Sequence, residues 1–174
     1  MSIATRFDQV LPAGTWRLDP VHSQVSYAVK HAGVSLFRGG VDGFDADLVE
    51  GTLTGRANVT GITVQDENMS AHLLSPEFFD AERFPDISFT TTDVHRDGDK
   101  LDVDGELEMR GLRKPIHLTG TIAGPANGRI GINLRSTLDR NDFGMNWNMK
   151  LPDGTLALDN EITLTADLEL VEDA

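Results

Sequence analysis

The side chains able to do chemistry in this chain are few. Asp19, His22 and Ser23 are the residue types of a hydrolytic triad, yet they fall within five positions around Pro20. Nucleophile, base and orienting acid so close in sequence cannot line up in the usual geometry, so they are expected to brace a turn. Five histidines, His22, His31, His72, His95 and His117, show no i,i+2 or i,i+4 ligand spacing. A metal would need His22, His31 and His72 to converge in space, and no metal site is expected. There is no cysteine, hence no thiol nucleophile, thiolate site or disulfide. No glycine-rich phosphate loop joins a strand to a helix. Arg140 remains. It shares the parity of Leu138 in an alternating stretch, which turns it inward. A buried guanidinium needs a carboxylate, here Asp142, Asp80 or Asp19, or else an anionic ligand. The sequence leaves both open.

The elements that must position these groups are strands. From Lys100 to Ala123, Leu101, Val103, Leu107 and Met109 alternate with charged residues, and after a basic turn at 110–115 so do Ile116, Leu118 and Ile122 with polar ones. Period two in adjacent segments marks an antiparallel hairpin with one apolar face. Gly105 and Gly120 lie on that face, as a kink around a solid core or as room for something else. Further strands are expected from Gly14-Thr15-Trp16 to Asp19-Pro20, at Ser23–His31 with Val25, Tyr27 and Val29 on one face, and at Leu36–Asp47 with bends. Ala57–Val64 reads as a strand bulged at Gly61, and Ile87–Val94 as another. Ile130, Ile132, Leu134, Ser136 and Leu138 share one face of the next, and Leu156 to Leu170 one parity of the last. The single helix signal is Ser75–Arg83, with Ser75 as cap, Pro76 first and Pro85 as stop; Phe78, Phe79 and Phe84 would cluster as a plug or lid. Many short strands with regular turns indicate a closed antiparallel barrel or a sandwich, and the inner glycines favour the barrel.

Composition narrows the function. The 174 residues, 39% hydrophobic, suit one domain (residues 14–174) preceded by an arm (1–13). A net charge of −13 opposes nucleic-acid binding and adhesion to anionic membranes. No run approaches the roughly 20 apolar residues of a membrane span, and the first 14 residues carry no leader-like run, so a cytoplasmic location is expected. If the last four strands form a meander, one end gathers Arg110, Arg113, Lys114 and Arg140 beside Phe143, Met145, Trp147, Met149 and Leu151. Cations beside flexible apolar side chains suit the entrance for a polar head with a long tail, or else a solvated turn over ordinary core. Trp16 would cap the opposite end.

Taken in order, these pieces resemble the YceI-like, polyisoprenoid-binding family of lipocalin-like barrels. The likeness runs from Trp16 to Leu170: Trp16-x-x-Asp19-x-x-His22-Ser23, Lys30-His31, Gly43-Phe44, Ala71-His72-Leu73-x-Ser75-Pro76-x-Phe78-Phe79-Asp80-Ala81, Phe84-Pro85-x-Ile87-x-Phe89, Gly105-x-Leu107-x-Met109-Arg110-Gly111, Lys114-Pro115 and Arg140-Asn141-Asp142-Phe143-Gly144. Met69-Ser70 depart from it, since many members carry Arg-Asp there; many members are also exported.

The resemblance implies an all-β, eight-stranded antiparallel barrel with a short helix, an internal apolar channel for a long isoprenoid or similar amphiphile, and in many members a homodimer. Candidate lining residues on the strands are then Val25, Tyr27, Val29, Phe37, Phe89, Val103, Leu107, Met109, Ile116, Leu118, Ile132, Leu134, Ile162 and Leu164. Leu73, Phe78, Phe79, Phe84, Phe143, Met145 and Trp147 join them from the connections, with Arg38 and Arg140 facing the head-group. The expected function is lipid carriage or storage without catalysis and without a cofactor beyond a co-purified lipid. An enzyme on a hydrophobic substrate, using His31, His72 or Arg140, and a solid-cored interaction module are the alternatives.

Overall fold

The computed structural model describes residues 10–173. Its strands are β1 (Thr15–Leu18), β2 (Gln24–His31), β3 (Ser35–Val41), β4 (Asp45–Val49), β5 (Thr52–Asn58), β6 (Ile62–Thr63), β7 (Asp86–Asp97), β8 (Lys100–Met109), β9 (Leu112–Ala126), β10 (Arg129–Asp139) and β11 (Leu158–Glu172), with one helix, α1 (Glu67–Leu74). All pairings are antiparallel, and β1 closes the ring by pairing with both β4 and β11. Three of the staves are broken. β1 and β2 both run along β11, β3 and β4 run along β2 and β1, and β5 and β6 along β4 and β3. With β7 to β11 unbroken, they make an eight-stranded closed antiparallel barrel.

The meander is set by its turns. Arg110-Gly111 and Asn127-Gly128 both place two consecutive residues at positive φ, 53° and 71°, and 54° and 71°. That geometry matches the strand twist and joins strands with two residues. Met109 therefore pairs with Leu112, so the basic turn expected over 110–115 shrinks to two residues and Lys114-Pro115 lies within β9.

Three other elements differ from expectation. The helix lies before Ser75, not after it. Asp66 caps it by accepting the Met69 N–H at 2.9 Å, and Ser75 ends it, its N–H and Oγ both donating to the His72 carbonyl. Residues 76–84 form successive turns, with Asp80 at φ 51°. The stretch 36–47 divides into β3 and β4 around Asp42–Phe44, where Gly43 adopts φ 69°. The stretch 57–64 is not bulged: Asn58 caps a short 3-10 turn over Val59–Gly61 by accepting the Thr60 N–H, and β6 resumes beyond it.

The core fills one half of the barrel. Trp16, Leu48, Val103, Ile130, Ile132 and Leu170, each at most 4% exposed, pack there with Leu11 of the arm. Trp16 Nε1 donates to the Ala13 carbonyl at 3.0 Å, tying the arm's end to the bottom. Residues 1–9, the rest of the expected arm, lie outside the described residues. The inner glycines make no empty space. A Cβ on Gly105 would meet the Phe89 ring and, at 2.8 Å, the Thr90 carbonyl; one on Gly120 would meet the Asn133 carbonyl of β10. They admit a ring and a neighbouring backbone respectively.

Candidate ligand cavity

The other half of the barrel encloses a cavity of about 570 Å³. Alternation supplies its wall. Val25, Tyr27 and Val29 come from β2, Phe37 from β3, Phe89 from β7, Leu107 and Met109 from β8, Ile116 and Leu118 from β9, Leu134 from β10, and Ile162 and Leu164 from β11. Leu73, Phe78, Phe79, Phe143, Met145 and Trp147 close over them from α1, the turns after it, and the β10–β11 connection. This cover is cross-linked. His72 meets Phe78 and Trp147 edge-on, with ring centroids 4.8 and 4.6 Å away, and its Nε2 lies 2.6 Å from Glu77 Oε2.

Three expected lining residues and the expected head-group residue Arg38 lie elsewhere. Val103 and Ile132 point inward but are sealed in the solid half, at 2% exposure each. Phe84 lies against Gly111 on the β8–β9 turn, with the Arg83 guanidinium 5.1 Å from its ring centroid. Arg38 pairs with Ala28 on the opposite parity to Phe37, so it stands on the outer wall in a shallow groove shared with Arg135. Conversely, Phe44, Leu53, Ile62, Met69 and Ile87 line the cavity unanticipated, and Met149, expected at the entrance, lines it as well. Strands β4 to β6 are too short and too interrupted for parity to show, and Met69 belongs to a helix expected elsewhere.

Arg140 is the buried cation, 3% exposed. No carboxylate of the described residues bonds it: Nε donates to the Asp159 carbonyl at 2.9 Å, and Nη1 to the Met145 and Trp147 carbonyls at 2.6 and 2.7 Å. Nη2 is buried without a partner among the described residues, and the side chain borders the cavity. Burial lowers its pKa below the usual guanidinium value, while the charges of Asp139 and Asp159 oppose that shift. Two of the other cations gathered at this end, Arg110 and Arg113, have structural partners. Arg110 donates to the Gly144 and Pro76 carbonyls at 2.9 and 2.8 Å, and Arg113 pairs with Glu108 at 3.0 Å. Arg110 therefore fastens the cover, whereas Arg113 is tied to the exposed face of β8. Burial also raises the Tyr27 pKa to about 12; its hydroxyl donates to the Thr63 carbonyl at 3.0 Å.

The triad types do brace a turn. Ser23 Oγ donates to the Asp19 carbonyl at 2.7 Å and accepts the Glu169 N–H, while His22 Nδ1 lies 2.7 Å from Asp19 Oδ2. Asp19, His22 and Glu169 cluster closely enough to hold a cation, and Arg129 supplies one, 2.8 Å from Asp19 and 2.7 Å from Glu169. His31, His72 and Arg140 form no hydrogen bonds with one another, so no acid–base pair faces the cavity among them.

A closed eight-stranded barrel with a covered apolar interior is a lipocalin-like binding architecture. The YceI-like domain model matches residues 16–170, and the chain belongs to that family. A UPF0312 protein of Pseudomonas putida is 31% identical over 137 residues, 71% of each chain. The crystal structure of a Campylobacter jejuni YceI protein superposes with a TM-score of 0.69 at 25% identity, covering 83% of this chain and 90% of that one. A polyisoprenoid-binding domain from Saccharophagus degradans shares the fold at a TM-score of 0.76 and 11% identity, covering 91% and 98%. No helix of the described residues is long and apolar enough to cross a membrane.

Proposed function

We propose that this protein binds a long-chain amphiphile, isoprenoid-like in character, with its tail in the barrel cavity and its polar end at Arg140, and that it carries or stores the lipid without transforming it. The observation that carries this reading is the cavity of about 570 Å³, walled almost wholly by apolar side chains and bordered by one buried cation with an uncommitted nitrogen. A tail removing roughly 500–800 Å² from water contributes on the order of 12–20 kcal/mol before ordering costs, enough for tight binding. One CH₂ contributes only about 0.8 kcal/mol, so discrimination of tail length is loose.

The head-group follows from counting donors. Three of the five guanidinium N–H groups are engaged, those on Nε and Nη1. The fork formed by two nitrogens is thereby used up, leaving the two N–H groups of Nη2 to donate to head-group oxygen. Extraction of the purified protein followed by mass spectrometry tests the reading. A long apolar chain ending in an oxygen function is expected. Repeated absence of lipid, together with no uptake of added polyprenyl alcohol, overturns it.

A further inference from the structure

Among the described residues, eight large apolar side chains are exposed, and six stand at the cavity's end of the barrel: Val34, Leu36, Met69, Leu112, Met149 and Leu156, from 39% for Leu112 to 86% for Val34. They come from four separate connections. Val34 and Leu36 belong to the β2–β3 turn and the start of β3, Met69 to α1, Leu112 to the start of β9, and Met149 and Leu156 to the β10–β11 connection. The pairings His31 with Leu158, Leu138 with Ile162 and Met109 with Leu112 bring those connections to one end. The Ala32 N–H donates to the Ala157 carbonyl at 2.8 Å, holding the β2–β3 turn against the strip that bears Leu156. Met69 and Met149 both face solvent and line the cavity, so apolar surface continues from the outside into the interior.

We infer that this rim is a docking surface for a zwitterionic lipid bilayer, from which a tail passes along Met69 and Met149 into the cavity. The inference rests on the lipid-binding reading above and adds where loading occurs. Six separated side chains around an opening expose on the order of a few hundred Å². A stable interface with a second copy needs about 800 Å² per partner. A fluid bilayer surface conforms to scattered apolar side chains, as a rigid protein face does not. Charge selects the kind of bilayer. The connections that carry the rim also expose Asp66, Glu67, Glu77, Glu82, Asp142 and Asp153 against the cations Arg83 and Lys150, an acidic excess on a protein of net charge −13, which repels anionic lipid.

The test compares Val34→Asp/Leu156→Asp with Val49→Asp, which alters an apolar residue exposed at the other end; none of the three lines the cavity. Co-sedimentation with phosphatidylcholine vesicles is expected for the wild type and for Val49→Asp, with at least a tenfold loss for the double variant. Binding should persist at about 0.5 M salt, where charge effects are screened, and weaken when phosphatidylglycerol replaces phosphatidylcholine at low salt. Transfer of polyprenyl alcohol from vesicles should slow in the double variant, while uptake of the same alcohol from detergent solution should be unchanged, because neither substituted residue lines the cavity. Absence of wild-type vesicle binding, equal loss in Val49→Asp, or a wild-type dimer that the double variant dissociates would each overturn the inference. Lipid recovered from a protein that ignores vesicles sinks the rim alone; vesicle binding without any internal lipid sinks the cavity reading.

Discussion

Strand β8 runs through two different interiors. Leu101 and Val103 are sealed in the closed half, whereas Leu107 and Met109, on the same face further along, wall the cavity. Ile130 and Ile132 against Leu134 and Leu138 repeat the division on β10. All eight are at most 8% exposed, so burial does not distinguish them. What differs is the opposite side. The closed half receives Trp16, Leu11, Leu48 and Leu170; the other half is roofed by α1, the turns after it and the β10–β11 connection, which cover the space without filling it. A barrel of eight strands is just wide enough for side chains to fill or for one ligand to occupy, and the bottom residues decide which.

The comparison can be broken most severely at the roof. Arg140→Met removes the partner of three carbonyls, those of Asp159, Met145 and Trp147, and should cost about 3–5 kcal/mol in denaturant unfolding while loosening the cover. A cost below 1 kcal/mol would mean that the cover does not depend on it. In the closed half, Leu48→Ala or Leu170→Ala leaves a hole where both side chains are fully buried, with an expected loss of about 2–5 kcal/mol and no change in bound lipid.

Gly120→Leu sets a side chain against the β10 backbone and should cost about 1–3 kcal/mol or more, again without shortening the lipid, because the glycine faces no open space. Leu118→Trp does the opposite. Added volume enters existing space, so the thermal midpoint should barely move while the extracted lipid falls in amount or tail length. A midpoint drop as large as that of Gly120→Leu would show that the cavity is not available to be filled.

The smallest effect concerns pH on the outer wall. The His117 pKa is raised, mainly by Asp104 and then Asp102, which contact its two ring nitrogens at 2.7 and 2.6 Å; Asp19, aided by Glu169, raises that of His22. The protonated forms are favoured in the folded state. Their contribution is therefore full below about pH 6.5, the unfolded value, and is lost as pH rises through the raised folded values. His117→Gln should flatten that part of the stability–pH curve slightly and leave lipid content alone. An unchanged slope would show that the carboxylates do not hold the proton.

What the sequence by itself determined is the wall. Period-two alternation over β8 to β11 assigns every residue to the inner or outer face, because a one-residue slip would put Leu107 and Leu134 in water. The register came from the structure, where the turn expected over 110–115 closes to Arg110-Gly111 and the pairing shifts between Arg129 and Gly131 beyond Asn127-Gly128. Only the tertiary structure decided which inward residues meet a partner and which meet a space, since that depends on segments remote in the chain. Gly105, which the sequence leaves open between a kink and room for something else, admits the Phe89 ring; Arg140, left open between a carboxylate partner and an anionic ligand, holds three carbonyls. The helix was misplaced because Asp66 and Ser75 are both capping types, and local chemistry alone does not rank them. Parity is a property of one strand, whereas a cavity belongs to all the elements around it, and no single stretch of sequence contains it.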